Sequence, residues 1–416
     1  MGRSKRVLAS LAGYYKILAV ISLNCLILFL MVNLIASGLL DLKTYFAKEA
    51  AMNGAPFAYK KFHESLTSVH PGLTEEQVTL LIAETRKLSQ AYEPYTQFKE
   101  SAYSGKYVNV DPRGFRPVGN QGPWPPRRGE FTVFVFGGST TFGYGVADDL
   151  TIPAQLQKQL VSDYGVSASV YNFGRGSYFC VQERVLLEKL LLSGFVPDVA
   201  VFIDGLNDLV LLEPARTKDL RRFMEDAEVP LLRKIVRELP VMKALAAMSP
   251  LPGFDETNLV KVFKATPPDQ HPKMLQDVVD RYLSNKRITE AIAREFNVTP
   301  VFVWQPIPVY KYDRQNCVFS GFDCEGYFPA LRPGYELMAR TVETKPLGPN
   351  FIWAADMQQN LQKPLYVDAV HYSGEMTNLI AKYILDEIRD RGLRAEIQAV
   401  RPSSKVGKSR HISPQS

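Results

Sequence analysis

From residue 126 to 392 short apolar strands alternate with longer amphipathic helices, and no other pattern constrains the fold of this chain as much. Candidate strands lie at 131–137, 168–172, 198–203 and 299–304, with a short one near 364–367. Candidate helices lie near 152–164, 179–193, 274–296 and 375–391. A strand that hands over to a helix reaches its next neighbour by a crossover, so the alternation predicts a central parallel sheet covered by helices on both faces. Ligands of such α/β folds gather where strands end, at the carboxyl edge of the sheet. The residues standing at those ends therefore carry the functional argument.

The first strand runs Phe131-Thr-Val-Phe-Val-Phe-Gly137 and stops at Gly137-Gly138-Ser139. The second is followed by Asn172-Phe-Gly174-Arg-Gly176-Ser177. The third ends in Gly205-Leu-Asn207-Asp208, and Asp368-Ala-Val-His371 precedes the last helix. A serine hydroxyl is a poor nucleophile at neutral pH and needs a base within hydrogen-bond reach. Of the five histidines, His63 and His70 fall in the region after the apolar N-terminal run, His271 in a Pro-rich stretch and His411 in a polar tail. Only His371 has an acid at a useful offset, Asp368, which can bend back to the ring Nδ1–H and fix the tautomer a general base requires. Taken alone, each piece also reads as an ordinary turn or a helix start.

The order Gly-Gly-Ser, Asn-x-Gly, Gly-x-Asn-Asp, Asp-x-x-His resembles the four sequence blocks of the SGNH, or GDSL-type, hydrolase superfamily, over roughly residues 130–392. The resemblance implies a flavodoxin-like three-layer α/β/α fold and a serine esterase site. It makes Ser139 the nucleophile, His371 the general base and Asp368 the residue that orients it. The oxyanion hole it implies is built from the Ser139 N–H, the Asn207 side-chain amide and a backbone N–H of the second block. Here the chain departs from the family: the position five after Asn172 is Ser177, with Gly176 just before it, so either could supply that third donor. The family's Gly-Asp-Ser is also altered, Gly138 standing where the Asp would be.

Four basic residues and no acid occupy the first sixteen positions, and Ile17–Leu40 is then almost wholly apolar. Such a run, as a helix, is long enough for the roughly 30 Å hydrocarbon core and too long for an ordinary signal-peptide core. It predicts a single signal anchor with the basic flank in the cytoplasm and the remainder periplasmic or extracellular; the alternative is a signal cleaved near Ala36. Residues 41–125 read as a membrane-proximal helical and lead-in region, in which Thr74-Glu-Glu-Gln77 is a capping box. The segment 109–116 is expected to pack on the domain rather than line its cleft. Domain residues 126–395 carry two stretches longer than normal loops, near 209–272 and 305–363, the first with a helical-looking part at 229–245. From about 396 the tail reads as disordered and basic.

The net charge of +6 comes from the two ends, so nothing points to a nucleic-acid surface. No phosphate loop, dinucleotide fingerprint or zinc-ligand spacing is present, so neither cofactor nor metal is expected. In an exported domain Cys317 and Cys324 form a possible disulfide, with two free thiols as the alternative. The expected activity is hydrolysis of an acyl ester, acetyl on a cell-envelope glycan, through an acyl-enzyme. An O-acyltransferase using the same site, or a catalytically silent glycan-binding factor, are the alternatives.

Overall fold

The computed structural model describes residues 2–54, 66–127, 129–227, 230–248, 259–319 and 322–398. Two compact units divide at residues 58/59, 217/218 and 254/255. One holds helix α1 (Gly2–Gly54) and the insertion after residue 217. Within α1, Gly13–Phe46 is 34 residues long and contains an 18-residue window with a mean hydropathy of 2.5, enough by length and composition to cross a membrane.

The other unit begins with α2 (Glu75–Lys87), opened as predicted by a reciprocal capping box between Thr74 and Gln77. Two antiparallel ribbons follow, β1 (Gln90–Glu93) with β2 (Gln97–Glu100), and β3 (Tyr103–Ser104) with β4 (Asn109–Val110). The five-stranded sheet is built from β5 (Phe131–Gly137), β6 (Ala168–Asn172), β7 (Val199–Asp204), β8 (Thr299–Trp304) and β9 (Phe351–Trp353). All pairs are parallel, in the order β6-β5-β7-β8-β9. This is a three-layer α/β/α fold. The chain leaves β5 for β6 on one side and returns to β7 on the other, which opens a crevice between the ends of β5 and β7.

Side-chain alternation sorts the two cores by residue type. Phe134, Phe136, Phe202 and Phe302 point to one face, which α5 (Cys180–Leu192), α10 (His271–Glu295) and α12 (Leu331–Thr344) cover. The pairing register sets Phe136 beside Phe202 and Phe202 beside Phe302, and their rings stack at 5.0 and 5.3 Å. Val133, Val135, Val201, Ile203 and Val303 point to the other face, against α4 (Ile152–Ser162) and α13 (Gly374–Asp390). With both faces covered, β7 is buried along its whole length.

The expected fifth strand needs correction. Residues 364–367 add no strand to the sheet: Tyr366 makes only an isolated antiparallel bridge to Tyr372, closing a tight loop on itself. The fifth strand is β9, whose three residues are too short to stand out as a strand pattern. Neither long stretch is a bare loop. The first holds α6 (Thr217–Ala227), α7 (Leu231–Glu238), α8 (Pro240–Met248) and α9 (Leu259–Ala265). The second holds α11 (Cys324–Tyr327), α12 and β9. The last described element is α14 (Ala395–Gln398), and the tail beyond residue 398 lies outside the described residues, as does His63.

Candidate active site

Ser139 is the first residue of a one-turn helix, α3 (Ser139–Phe142), that starts directly after β5. Its hydroxyl lies 2.7 Å from Nε2 of His371, and Nδ1 of the same ring lies 2.7 Å from Oδ2 of Asp368. The loop closed by the Tyr366–Tyr372 bridge presents both residues, with the Val367 N–H donating to the His371 carbonyl. The other Asp368 oxygen accepts the N–H groups of Val370 and His371, at 2.9 and 2.7 Å. A carboxylate held this way accepts from Nδ1–H, which leaves Nε2 as the acceptor for the serine proton. Both Asp368 and His371 are buried, while Ser139 is half-exposed. His70 and His271 are instead tied to backbone carbonyls, at Leu66 and Gly145 and at Phe263 and Thr266.

The expected oxyanion donors Ser139, Ser177 and Asn207 belong to the segments that follow β5, β6 and β7. In the buried loops after β6 and β7, Ser177 and Asn207 are the half-exposed residues nearest the strand ends. Asn207 opens a 3-10 turn, Asn207–Leu209, and its Nδ2 donates to the Tyr178 carbonyl at 2.6 Å. That bond fixes the amide and leaves its second N–H. A Cβ on Gly138 would stand 2.2 Å from the same Nδ2, so a glycine here is what lets the amide approach the backbone beside Ser139 this closely. Ser177 sits at φ +61, the left-handed conformation that a glycine would supply without strain. Among the described residues its N–H meets no acceptor.

Gly176, the other candidate of the second block, is excluded as an oxyanion donor. Its N–H donates to Oε1 of Glu100 at 2.6 Å, so that hydrogen is spent. The possible disulfide is likewise corrected. Cys317 and Cys324 are both buried free thiols. Burial pushes both thiols up to about 11.

Sequence reasoning missed the side chains that hold these loops. Glu100, at the end of β2, is wholly buried behind the second-block loop, where it also bonds the Tyr144 hydroxyl. The Tyr144 ring in turn lies 5.4 Å from the His371 ring. Burial raises the Glu100 carboxyl above its ordinary range, against the lowering effects of the Gly176 N–H and Arg175. Arg175 is buried too, paired with Glu93 of β1 and donating to the Tyr178 hydroxyl at 2.9 Å. Arg116 donates to the carbonyls of Gly143 and Val146, at 2.7 and 2.8 Å, and so pins the turn after α3. Asn172 joins the two loops by donating to the Thr141 carbonyl while accepting from Gly174. The lead-in segment thus packs on the domain and reaches the site from behind.

Beneath Asn207 lies a buried acid pair. Glu183 and Asp204 are both fully buried and lie close enough to feel each other's charge and that of Asp208, and both Glu183 oxygens and Oδ1 of Asp204 meet no hydrogen-bond partner among the described residues. Burial, then the neighbouring acids, push both well above the usual carboxyl range. A proton held more tightly in the folded state stabilises it fully only below the ordinary carboxyl pKa of about 4, and progressively less as pH rises toward the raised value. Melting temperature is therefore expected to fall between pH 5 and pH 8. Asp204→Asn should flatten that profile and raise the midpoint at pH 8 by about 2 °C or more. An unchanged slope in a thermal melt series would show that the pair carries no shifted proton.

No family model and no curated protein matches the chain. Among solved structures, a lipolytic protein of the G-D-S-L family from Desulfitobacterium hafniense is 13% identical, over 64% of this chain and 100% of that one, at a TM-score of 0.33. An acetylxylan esterase from Geobacillus stearothermophilus is 18% identical over 62% and 94% of the two chains, at a TM-score of 0.32, and a catalytic mutant of it gives 17% and 0.35. At TM-scores this low, the chemistry of the site has to be read from its own distances.

Proposed function

We propose that this protein is a serine ester hydrolase of the SGNH type, anchored to a membrane by α1 with its N-terminus cytoplasmic and its second unit periplasmic or extracellular. The observation that carries the reading is the unbroken chain of two 2.7 Å contacts from Ser139 through His371 to Asp368, set beside the Asn207 amide. In this mechanism Ser139 Oγ attacks the acyl carbonyl carbon as His371 Nε2 takes its proton. The negative charge that develops on the carbonyl oxygen is met by the Ser139 N–H, the Ser177 N–H and the free N–H of Asn207. Collapse of the tetrahedral species breaks the ester bond, and His371 returns the proton to the departing alcohol. Water, activated by the same histidine, then releases the acid from Ser139.

The four-block resemblance and the apolar helix support a small acyl ester, acetyl, on a cell-envelope glycan as the substrate. A fluorophosphonate probe tests the core of the proposal. The full chain should be labelled at Ser139 and Ser139→Ala should not be. A folded wild-type protein that resists the probe would be a silent binding factor. If labelled protein passes its acyl group to a sugar hydroxyl rather than to water, the site is a transferase.

A further inference from the structure

The helices between Thr217 and Met248 carry apolar faces turned outward. On α6 helical spacing puts Leu220, Phe223, Met224 and Ala227 on one side and Lys218, Arg221, Arg222 and Glu225 on the other. Phe223 and Met224 are 71% and 67% exposed. On α7, Ile235 and Val236 are likewise exposed on the side away from Arg233 and Arg237. In α8, Lys243 is the only charged residue, and Met242 and Leu245 are exposed. Three consecutive helices with bare apolar sides are a large exposed patch for a water-facing surface.

Helix α8 packs along α1, and the level at which it does so says what covers these faces. Asn33 and Ala36, one turn apart, are buried, whereas Leu34 between them is 75% exposed. The Val241 N–H, in the first turn of α8, donates to Oδ1 of Asn33 at 3.3 Å. The same amide's Nδ2 donates to the Phe29 carbonyl at 2.9 Å. Position 240 is proline and has no N–H, so the start of α8 is capped from α1. Asn33 lies seven residues before Leu40, about 10 Å inside the end of the apolar run at the rise of an α-helix. A helix start at that depth needs such an acceptor, because hydrocarbon offers none.

We propose that α6, α7 and α8 form a membrane-interface element. Helix α8 sits beside α1 within the outer half of the bilayer, while α6 and α7 lie along its boundary with their apolar sides toward the acyl chains. Arg222 and Arg233 then face the phosphates of anionic lipids. The inference rests on the reading of α1 as a membrane span.

The test uses the full chain in vesicles of phosphatidylethanolamine and phosphatidylglycerol, with Cys25→Ser so that the buried cysteines alone remain. A single environment-sensitive NBD label is placed through Leu245→Cys, Phe223→Cys, Leu23→Cys in α1 or Lys382→Cys on α13. Lipids carrying a nitroxide on the acyl chain should quench the labels at 245 and 223 about threefold more than the label at 382, as expected for side chains at the acyl boundary. Labels at 245 and 223 that stay unquenched while 23 is quenched overturn the interface element and leave the span intact. Blue-shifted yet unquenched emission at those sites also overturns it, because protein rather than lipid then covers the faces. If the label at 23 is unquenched as well, the span reading falls and this inference with it.

Discussion

Ser139→Ala and His371→Ala are each expected to lower the release of p-nitrophenol from p-nitrophenyl acetate by about 10⁴-fold or more, as loss of a nucleophile or its base does in triad hydrolases. The argument is geometric. Among the described residues no second histidine serves the serine, since His70 and His271 are held by backbone carbonyls elsewhere. Because the pair acts as a unit, the double variant should be no worse than either single one. Asp368→Ala removes a carboxylate that also receives two backbone N–H groups, so the whole loop as well as the histidine tautomer is loosened. Its loss should also be about 10⁴-fold, with residual turnover from histidines that reach the right orientation by chance. Unfolding midpoints measured alongside separate a lost group from a lost fold. Turnover within tenfold of wild type by a folded Ser139→Ala protein would end the assignment.

The strands and the four motif blocks were legible because each is a local pattern: β5 to β8 are strands of five or more residues rich in β-branched and aromatic side chains, and every block sits at a strand end or just before a helix. What escaped was non-local. Glu100, Arg116 and Arg175 look like surface charges in the sequence, and their partners lie 76, 27 and 82 residues away. A weak signal existed in β2, where Phe98 and Glu100 fall on the same buried side of the strand by period-two spacing. The fifth strand was invisible because three residues do not make a pattern. The cysteine pair failed for a related reason: proximity in sequence does not fix how two thiols face one another, and both are free. The two candidates for the third donor were separable only once Glu100 was seen to occupy the Gly176 N–H.

Asn207→Ala should lower kcat by about 10²–10³ with a much smaller change in KM, because an oxyanion donor acts mainly on charge present in the transition state. The Tyr178 carbonyl fixes the amide before substrate arrives, so little reorganisation is needed when the charge forms. Two further variants test whether the second-block loop supplies the partner donor. Ser177→Gly keeps the N–H and removes the cost of a left-handed residue, so its kcat should stay within about twofold of wild type. Glu100→Ala frees the Gly176 N–H and removes the partner of Tyr144, which lets the peptide that carries the Ser177 N–H turn away. Its kcat should fall by about tenfold or more, since a donor misplaced by an ångström loses much of its effect. Glu100→Gln preserves an acceptor oxygen and should restore part of that loss. If Asn207→Ala changes only KM, the amide binds substrate in the ground state. If Glu100→Ala leaves kcat untouched in a folded protein, the loop does not depend on it.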